Sequence, residues 1–273
     1  RSVVAMATAV PVAAAGGPVS GFHVLASVPA VYISQDFELW EVLSGCEMQN
    51  RYKVFASDVA EPTRLGEPIF KAKEKSGCLE RQCCGPARSF EMQIFTTDPA
   101  QTQFMTLKRP FKCTCLCFNR SIIYTQSAAG EDLGEIYNPF QCFDHIMEVK
   151  APKSREGVNP LPIIAAEGKS GDWYTVEAAC CQPGFFCHCP CGPCKEIVWN
   201  IYPAGGSKDT PVGRIAKVWN GCCKTAFTDA DAFHIVFPPD ATPYQKANLV
   251  SAAFLLDFLL FEKNAQNNNS GAG

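Results

Sequence analysis

An acidic stretch near the C-terminus has the carboxylate spacing of a calcium-binding loop. Asp229, Asp231 and Asp240 stand at positions 1, 3 and 12 of a twelve-residue window, where a helix–loop–helix calcium loop places acids. Position 6 is His234, whereas the sharp turn of such a loop requires glycine, and the flanking residues are typical of strands. We expect weak calcium binding through oxygen atoms, and the alternative is an acidic turn that precedes a strand.

Cysteine accounts for 16 of the 273 residues and occurs in adjacent or near-adjacent groups. Such grouping favours metal, lipid or redox chemistry over long-range disulfides, and residues 1–21 lack the sustained apolar run of a secretory signal. The group formed by Cys113, Cys115 and Cys117 lies among basic and apolar residues. That setting favours S-acylation, because clustered acyl chains hold a protein at a membrane more firmly than one chain does.

The densest cysteine group offers thiolates for zinc. Cys191 and Cys194 form a Cys-x-x-Cys pair, and Cys180 and Cys187 precede it. Four such ligands would complete a tetrahedral zinc shell. The second Cys-x-x-Cys pair of common zinc modules is absent, so inert loop thiols are the alternative.

The sequence contains no motif of a covalent catalyst. It has no Gly-x-Ser-x-Gly, His-Glu-x-x-His or Walker sequence, and its histidines are scattered. A net charge of −3 gives no general attraction to nucleic acid. We expect neither an enzyme nor a nucleic-acid-binding protein. A modest basic surface, either a solvated loop face or a headgroup contact, is predicted from Arg88, Lys108, Arg109, Lys112 and Arg120.

Short runs rich in Val, Ile, Phe, Tyr and Thr recur from residue 51 onward. Turn residues separate them, and many alternate, so that Phe90, Met92 and Ile94 fall on one side of a strand. Counting weaker candidates gives about twelve strands at even spacing, which indicates a barrel or a sandwich rather than βαβ units. The clearest runs lie at 52–55, 90–95, 104–107, 122–125, 146–149, 173–176, 197–201, 212–215 and 233–236.

The most hydrophobic segment spans residues 247–261. Its apolar side chains cover every face of a helix, which is typical of a helix buried in a core or inserted in a bilayer. Fifteen residues rise about 22 Å, short of the roughly 30 Å hydrocarbon core of a membrane, and an acid within the run opposes insertion. We favour a core helix, with a short membrane anchor as the alternative. The residues expected to face the core or the membrane are Leu249, Phe254, Leu256, Asp257, Phe258 and Leu260.

These elements predict one mainly β domain over residues 30–263, with strands closed around the C-terminal helix. Residues 1–29 are rich in Ala, Val, Gly and Pro and are expected to be a flexible lead-in. Residues 264–273 are expected to form a disordered tail. The segment 31–43 is ambiguous between helix and strand.

Five sequence blocks resemble the phospholipid scramblase family, and their order and spacing match over about residues 30–263. The blocks are Glu38–Gly45 with Asn50–Tyr52, Cys83–Phe90, Leu107–Cys113, Ala226–Phe233 and Phe254–Glu262. The resemblance implies a Tubby-like fold, in which a closed barrel of twelve strands surrounds a hydrophobic C-terminal helix. It also implies calcium-stimulated, ATP-independent movement of phospholipids between membrane leaflets.

The resemblance assigns roles to particular residues. The family's calcium segment corresponds to Asp229, Asp231, Phe233, Ile235, Phe237 and Asp240, with His234 and Ala232 in place of a family Gly and Asn. The family's acylation cluster corresponds to Cys113, Cys115 and Cys117. A nuclear-import segment corresponds to residues 213–220, with only two basic residues.

Two functions follow from the resemblance. The first is a scramblase at the cytosolic face of the plasma membrane, held there by acylation, by the C-terminal helix or by both. The second is a membrane-tethered lipid-binding or signalling adaptor with little transport activity of its own, which binds signalling-protein partners. A helix deep in the barrel favours the adaptor, and a lipid-exposed helix favours the transporter.

Overall fold

The computed structural model describes residues 20–35, 50–76, 87–113, 118–155, 157–166, 171–187, 192–219 and 232–261. Within these residues the chain forms three α-helices, which are α1 Ser20–Ser27, α2 Pro162–Ala166 and α3 Pro243–Leu260. The strands are β1 Ala30–Gln35, β2 Arg51–Ala56, β3 Leu65–Lys75, β4 Phe90–Thr96, β5 Gln103–Arg109, β6 Ile122–Ser127, β7 Asp132–Tyr137, β8 Asp144–Lys150, β9 Asp172–Ala179, β10 Glu196–Pro203, β11 Gly213–Val218 and β12 Ala232–Val236.

The strands form a closed antiparallel barrel. Each strand pairs with the next one in sequence, and β1 pairs with β12 to close the sheet. The closing register places Ala30 opposite Val236 and Ser34 opposite Ala232. Closure leaves no edge strand among the described strands. The predicted mainly β fold of about twelve strands is confirmed, and each of the nine runs named above overlaps a strand.

Alternating side chains build the barrel interior. In β4, Phe90, Met92 and Ile94 are buried, whereas Glu91 and Gln93 are partly exposed. This is the pattern expected of a strand with one face toward a core. The segment that was ambiguous in sequence begins with β1, and residues 36–43 lie outside the described part of the chain.

Helix α3 fills the barrel. Every residue from Gln245 to Phe258 is buried, which explains why its sequence is apolar on all faces. Thr242 and Gln245 form a capping box, and Pro243 occupies the first turn, where a missing N–H has no cost. The six residues predicted to face the core are buried, except that Leu260 is half-buried near the end of the helix.

Polar side chains of α3 fix its position inside the barrel. The Lys246 ammonium donates to the backbone oxygens of Leu25, Ala26 and Val28 at 3.0, 3.2 and 2.8 Å. Burial lowers the pKa of Lys246. The Asn248 amide donates to the Leu133 carbonyl oxygen at 2.9 Å. Each contact satisfies a group whose unpaired burial would be unfavourable.

Helix α1 covers one end of the barrel, which corrects the prediction of a flexible segment over residues 1–29. Leu25 is buried in the core, and the Phe22 ring lies 5.3 Å from the ring of Phe104 and 5.0 Å from that of Tyr244. Residues 20–29 are therefore part of the folded domain, because their apolar side chains complete its core. Residues 1–19 lie outside the described residues.

Candidate functional site

The two ends of the barrel differ in composition. Because neighbouring strands run antiparallel, alternate connections meet at the same end. We call one end the α1 end, since it carries α1 and the start of α3. We call the opposite end the cysteine-rich end; its described connections are residues 50, 76, 87–89, 110–113, 118–121, 138–143, 180–187, 192–195 and 219.

Exposed phenylalanines gather at the cysteine-rich end. Among the described residues, the large hydrophobic side chains exposed at the α1 end are Val59, Leu65 and Ile163, all aliphatic. Those exposed at the cysteine-rich end are all aromatic: Phe111, Phe118, Phe140, Phe143 and Phe186. A patch of exposed apolar side chains is typical of a surface that contacts a membrane or another protein.

The same loops carry the described cysteines. Cys113, Cys142, Cys181 and Cys187 are exposed free thiols, Cys180 is a half-buried free thiol, and Cys194 is half-buried. Cys113, predicted to be acylated, therefore stands beside the exposed Phe111. Cys115 and Cys117 lie outside the described residues, so acylation of the group stays a prediction.

The three described cysteines of the predicted zinc site do not converge. Within the described residues, no three side chains of His, Cys, Asp or Glu are close enough to hold a metal ion. This includes Cys180, Cys187 and Cys194. Cys191 lies outside the described residues, and zinc stays a prediction that bound-metal stoichiometry tests.

The described part of the predicted calcium segment, residues 232–240, consists of β12 and the residues that follow it. Phe233 and Ile235 lie on β12, with buried side chains, and Phe237 follows the strand. At about 3.3 Å per residue, Phe233 and Phe237 stand roughly 13 Å apart, whereas a calcium ion holds its ligands at about 2.3–2.6 Å. Asp240 lies beyond β12 at the α1 end and is exposed.

Phe233, Ile235, Phe237 and Asp240 are therefore spread along a strand of the barrel and past its end. Calcium binding by this segment stays a prediction. Asp229 and Asp231 lie outside the described residues.

A buried ion pair holds the end of α3 that faces the cysteine-rich end. The Lys217 ammonium lies 2.9 Å from Asp257 Oδ1, and the Tyr52 hydroxyl donates to Asp257 Oδ2 at 2.6 Å. The ammonium also lies 4.5 Å from the centre of the Phe233 ring and 4.4 Å from that of Phe261. Lys217 is fully buried, so only one of the two basic residues in the segment 213–220 reaches the surface.

A second buried ionic group lies next to it. Arg88 and Glu74 form an ion pair at 2.8 Å, with both side chains almost fully buried. The guanidinium groups of Arg88 and Arg109 lie 4.5 and 4.3 Å from the centre of the Phe258 ring. Two residues of the predicted basic surface, Arg88 and Arg109, are therefore structural.

Sequence reasoning missed these buried pairs and the exposed phenylalanines, for different reasons. Lys217 and Asp257 are 40 residues apart, and no local pattern connects them. The phenylalanines did carry a signal, because Phe111 and Phe140 follow prolines and Phe118 precedes Asn119 in breaks between strands. Proline and asparagine mark these segments as turns or loops, and loops lie at the protein surface.

The described helices offer no membrane-spanning segment, since none combines sufficient length with sufficient hydrophobicity.

Comparison with known proteins assigns the family. The scramblase family profile matches residues 8–161 and 170–263, and the chain belongs to the scramblase family. The chain is 31% identical over 257 residues to phospholipid scramblase 1 of Mus musculus, a match that covers 92% of this chain and 67% of the relative. It is 31% identical over 245 residues to phospholipid scramblase 2 of Bos taurus, covering 89% of this chain and 71% of the relative.

The chain spans about two thirds of the length of the phospholipid scramblases 1 that it matches. The covered share is 67% for Mus musculus, 63% for Rattus norvegicus and 69% for Homo sapiens. No solved structure matches the chain.

Proposed function

We propose that this chain is a phospholipid scramblase, which moves phospholipids between membrane leaflets without ATP and without covalent catalysis. The observation that carries the proposal is family membership across nearly the whole barrel. The relatives that share this barrel sequence are named phospholipid scramblases. Membrane phospholipids are then the substrates.

The cysteine-rich end is the surface that contacts the membrane in this proposal, at the cytosolic face of the plasma membrane. Its exposed phenylalanines support this orientation, because burial of one such side chain in the membrane contributes about 1.5–3 kcal/mol to the free energy of membrane binding. Lys112 and Arg120 lie in the same loops, and a cation near an anionic leaflet adds about 1 kcal/mol. Acyl chains on Cys113 and its neighbours would strengthen the attachment.

Phospholipids cross beside the barrel rather than through it. The interior is filled by α3, whose residues Gln245–Phe258 are buried, so the described barrel contains no passage for a headgroup. A headgroup meets a large barrier in the roughly 30 Å hydrocarbon core because its polar groups lose their hydrogen bonds with water. Loops that insert aromatic side chains beside cationic ones disturb the leaflet locally and lower this barrier.

Reconstitution in liposomes tests the proposal. Fluorescent phospholipids of the inner leaflet are expected to become accessible to an external quencher faster than in protein-free liposomes, without ATP. Folded, membrane-bound protein that gives no transfer above protein-free liposomes would overturn the scramblase function.

Calcium stimulation is a separate proposal, and it depends on Asp229 and Asp231 alone. We expect the double variant Asp229→Ala/Asp231→Ala to keep basal transfer and lose any increase caused by calcium. Asp240→Ala is the matched control and keeps the increase, because Asp240 lies at the α1 end. Loss of the calcium-dependent increase in Asp240→Ala as well as in the double variant would contradict this assignment.

A membrane-tethered adaptor is the second candidate, and the burial of α3 favours it. A helix enclosed by the barrel leaves only its last turn to touch lipid. The adaptor would bind vesicles and signalling proteins while leaving the transfer rate at the protein-free level. The same reconstitution therefore separates the two functions, provided that vesicle binding is measured beside transfer.

A further inference from the structure

A pocket opens at the cysteine-rich end, between the loop that follows β5 and the loop that follows β7. Its volume is about 560 Å³, and α3 contributes Leu256, Leu259 and Leu260 to its wall. Leu259 and Leu260 are only half-buried, unlike the fully buried residues that precede them in the helix. The pocket is therefore the place where the core helix becomes accessible from outside the barrel.

The polar wall of the pocket carries a charge pattern. Lys112 and Arg120 line it, as does Asp144, so these three groups sum to one positive charge. Arg120 is held in place because its guanidinium donates to the carbonyl oxygen and the side-chain oxygen of Asn138. Lys112 is half-buried in the same wall.

An amphiphile fits this arrangement better than a purely polar or a purely apolar ligand. Leucine side chains accept a hydrocarbon chain, and an ammonium with a guanidinium binds the oxygens of a phosphate. A single net positive charge suits a zwitterionic or singly anionic headgroup rather than a multiply phosphorylated one. Phe143 lines the pocket and is 78% exposed, so the mouth opens on the surface that carries the exposed phenylalanines.

We propose that this pocket binds one phospholipid molecule, with its phosphate at Lys112 and Arg120 and the start of an acyl chain against Leu259 and Leu260. The choice of a phospholipid rests on the proposed function, whereas the pairing of cations with leucines is a property of the pocket. The bound lipid would leave its leaflet partly, with its headgroup at the protein surface and its chains directed to the membrane.

Binding of a short-chain fluorescent phosphatidylserine to the full chain in the absence of a bilayer tests the proposal. Lys112→Glu/Arg120→Glu is expected to weaken binding at least about tenfold, because charge-assisted hydrogen bonds to the phosphate are replaced by repulsion. The matched control Lys153→Glu/Lys208→Glu makes the same change in charge at the α1 end, where both side chains are more than half exposed, and keeps wild-type binding.

A second variant fills the pocket instead of changing its charge. Leu259→Trp adds volume at the half-buried leucine and is expected to exclude the lipid without unfolding the barrel. Glycerophosphoserine, which has the headgroup without acyl chains, is expected to compete poorly. Wild-type affinity in both pocket variants, or equal competition by the headgroup alone, would overturn the proposal.

The outcome is independent of the transport assay. Lipid binding that the pocket variants abolish, in a protein that transfers no lipid in liposomes, would refute the scramblase function and support the pocket. Normal transfer by a protein whose lipid binding is unchanged in both pocket variants would refute the pocket and leave the function standing.

Discussion

At the scale of single residues, Asp257 explains how an acid can lie within the most hydrophobic segment of the chain. Its carboxylate accepts hydrogen bonds from Lys217 and Tyr52, and aromatic rings enclose the lysine ammonium. A buried carboxylate without such partners would lose several kcal/mol of solvation. Asp257, the acid that argued against membrane insertion of this segment, thus joins α3 to the barrel wall.

Removal of one member of this pair is expected to destabilise the fold more than removal of both. Asp257→Leu removes the carboxylate that pairs with the buried Lys217 ammonium, which costs about 3–5 kcal/mol of unfolding free energy. The double variant Asp257→Leu/Lys217→Met replaces both charges with apolar side chains and is expected to recover most of this loss. Denaturant unfolding measures the difference, and a double variant as unstable as the single one would contradict the interpretation.

Two histidines predict how stability depends on pH. Burial is the main cause that lowers the pKa of His145 and of His234, although Asp144 and the Asp58 carbonyl oxygen act in the opposite direction. With a lowered pKa in the folded state, the unfolded chain binds more protons below about pH 6.5, so the unfolding free energy falls as the pH falls through this range.

The double variant His145→Gln/His234→Gln is therefore expected to flatten the decrease in Tm between about pH 7 and pH 5. His23→Gln removes an exposed imidazole and is the matched control. A Tm that rises on acidification of the wild-type protein would contradict the predicted sign of the pH dependence.

At the scale of elements, α1 covers one end of the barrel and packs closely against it. A Cβ atom at Gly21 would lie 2.3–2.6 Å from atoms of the Phe104 ring. That ring is 1% exposed and packs on Phe22 and Phe70, so it has little space to move. Glycine is required here for close approach between the helix and β5.

Substitution of Gly21 is expected to separate α1 from the barrel. Gly21→Ala should cost about 1–3 kcal/mol, the usual effect of overpacking a core. Ala26→Ser in the same helix, at an exposed position, should have little effect. Hydrogen exchange of the α1 amides measures how readily this helix opens. Unchanged protection of these amides in Gly21→Ala would contradict the packing argument.

The elements also show what sequence patterns can and cannot predict. The alternation of Phe90, Met92 and Ile94 identified β4 because it is local, and the all-round apolarity of residues 247–261 identified a core helix for the same reason. Ala30 and Val236, which pair where the barrel closes, are separated by most of the chain. The sequence pattern favoured strands closed around the helix, but only the family resemblance specified a unique closed barrel. The spacing of Asp229, Asp231 and Asp240 did not reveal that β12 lies before Asp240, because spacing alone does not distinguish a loop from a strand.

At the scale of the whole molecule, the barrel has two different ends. One is covered by α1 and exposes aliphatic side chains, and the other exposes phenylalanines, cysteines and the pocket beside α3. Composition could not predict this difference, because sequence does not show which loops meet at one end. In the proposed function, this asymmetry gives the protein one orientation at a membrane and places the proposed lipid pocket on the contacting side.

The most direct test is phospholipid transfer in liposomes by two triple variants. Phe118→Ser/Phe143→Ser/Phe186→Ser removes aromatic side chains that are 71–80% exposed at the cysteine-rich end, and Val59→Ser/Leu65→Ser/Ile163→Ser removes aliphatic ones that are 47–55% exposed at the α1 end. We predict severalfold slower transfer and weaker vesicle binding for the first variant only, with both variants folded. Equal transfer rates in the two variants would contradict the claim that this protein scrambles lipids through its cysteine-rich end.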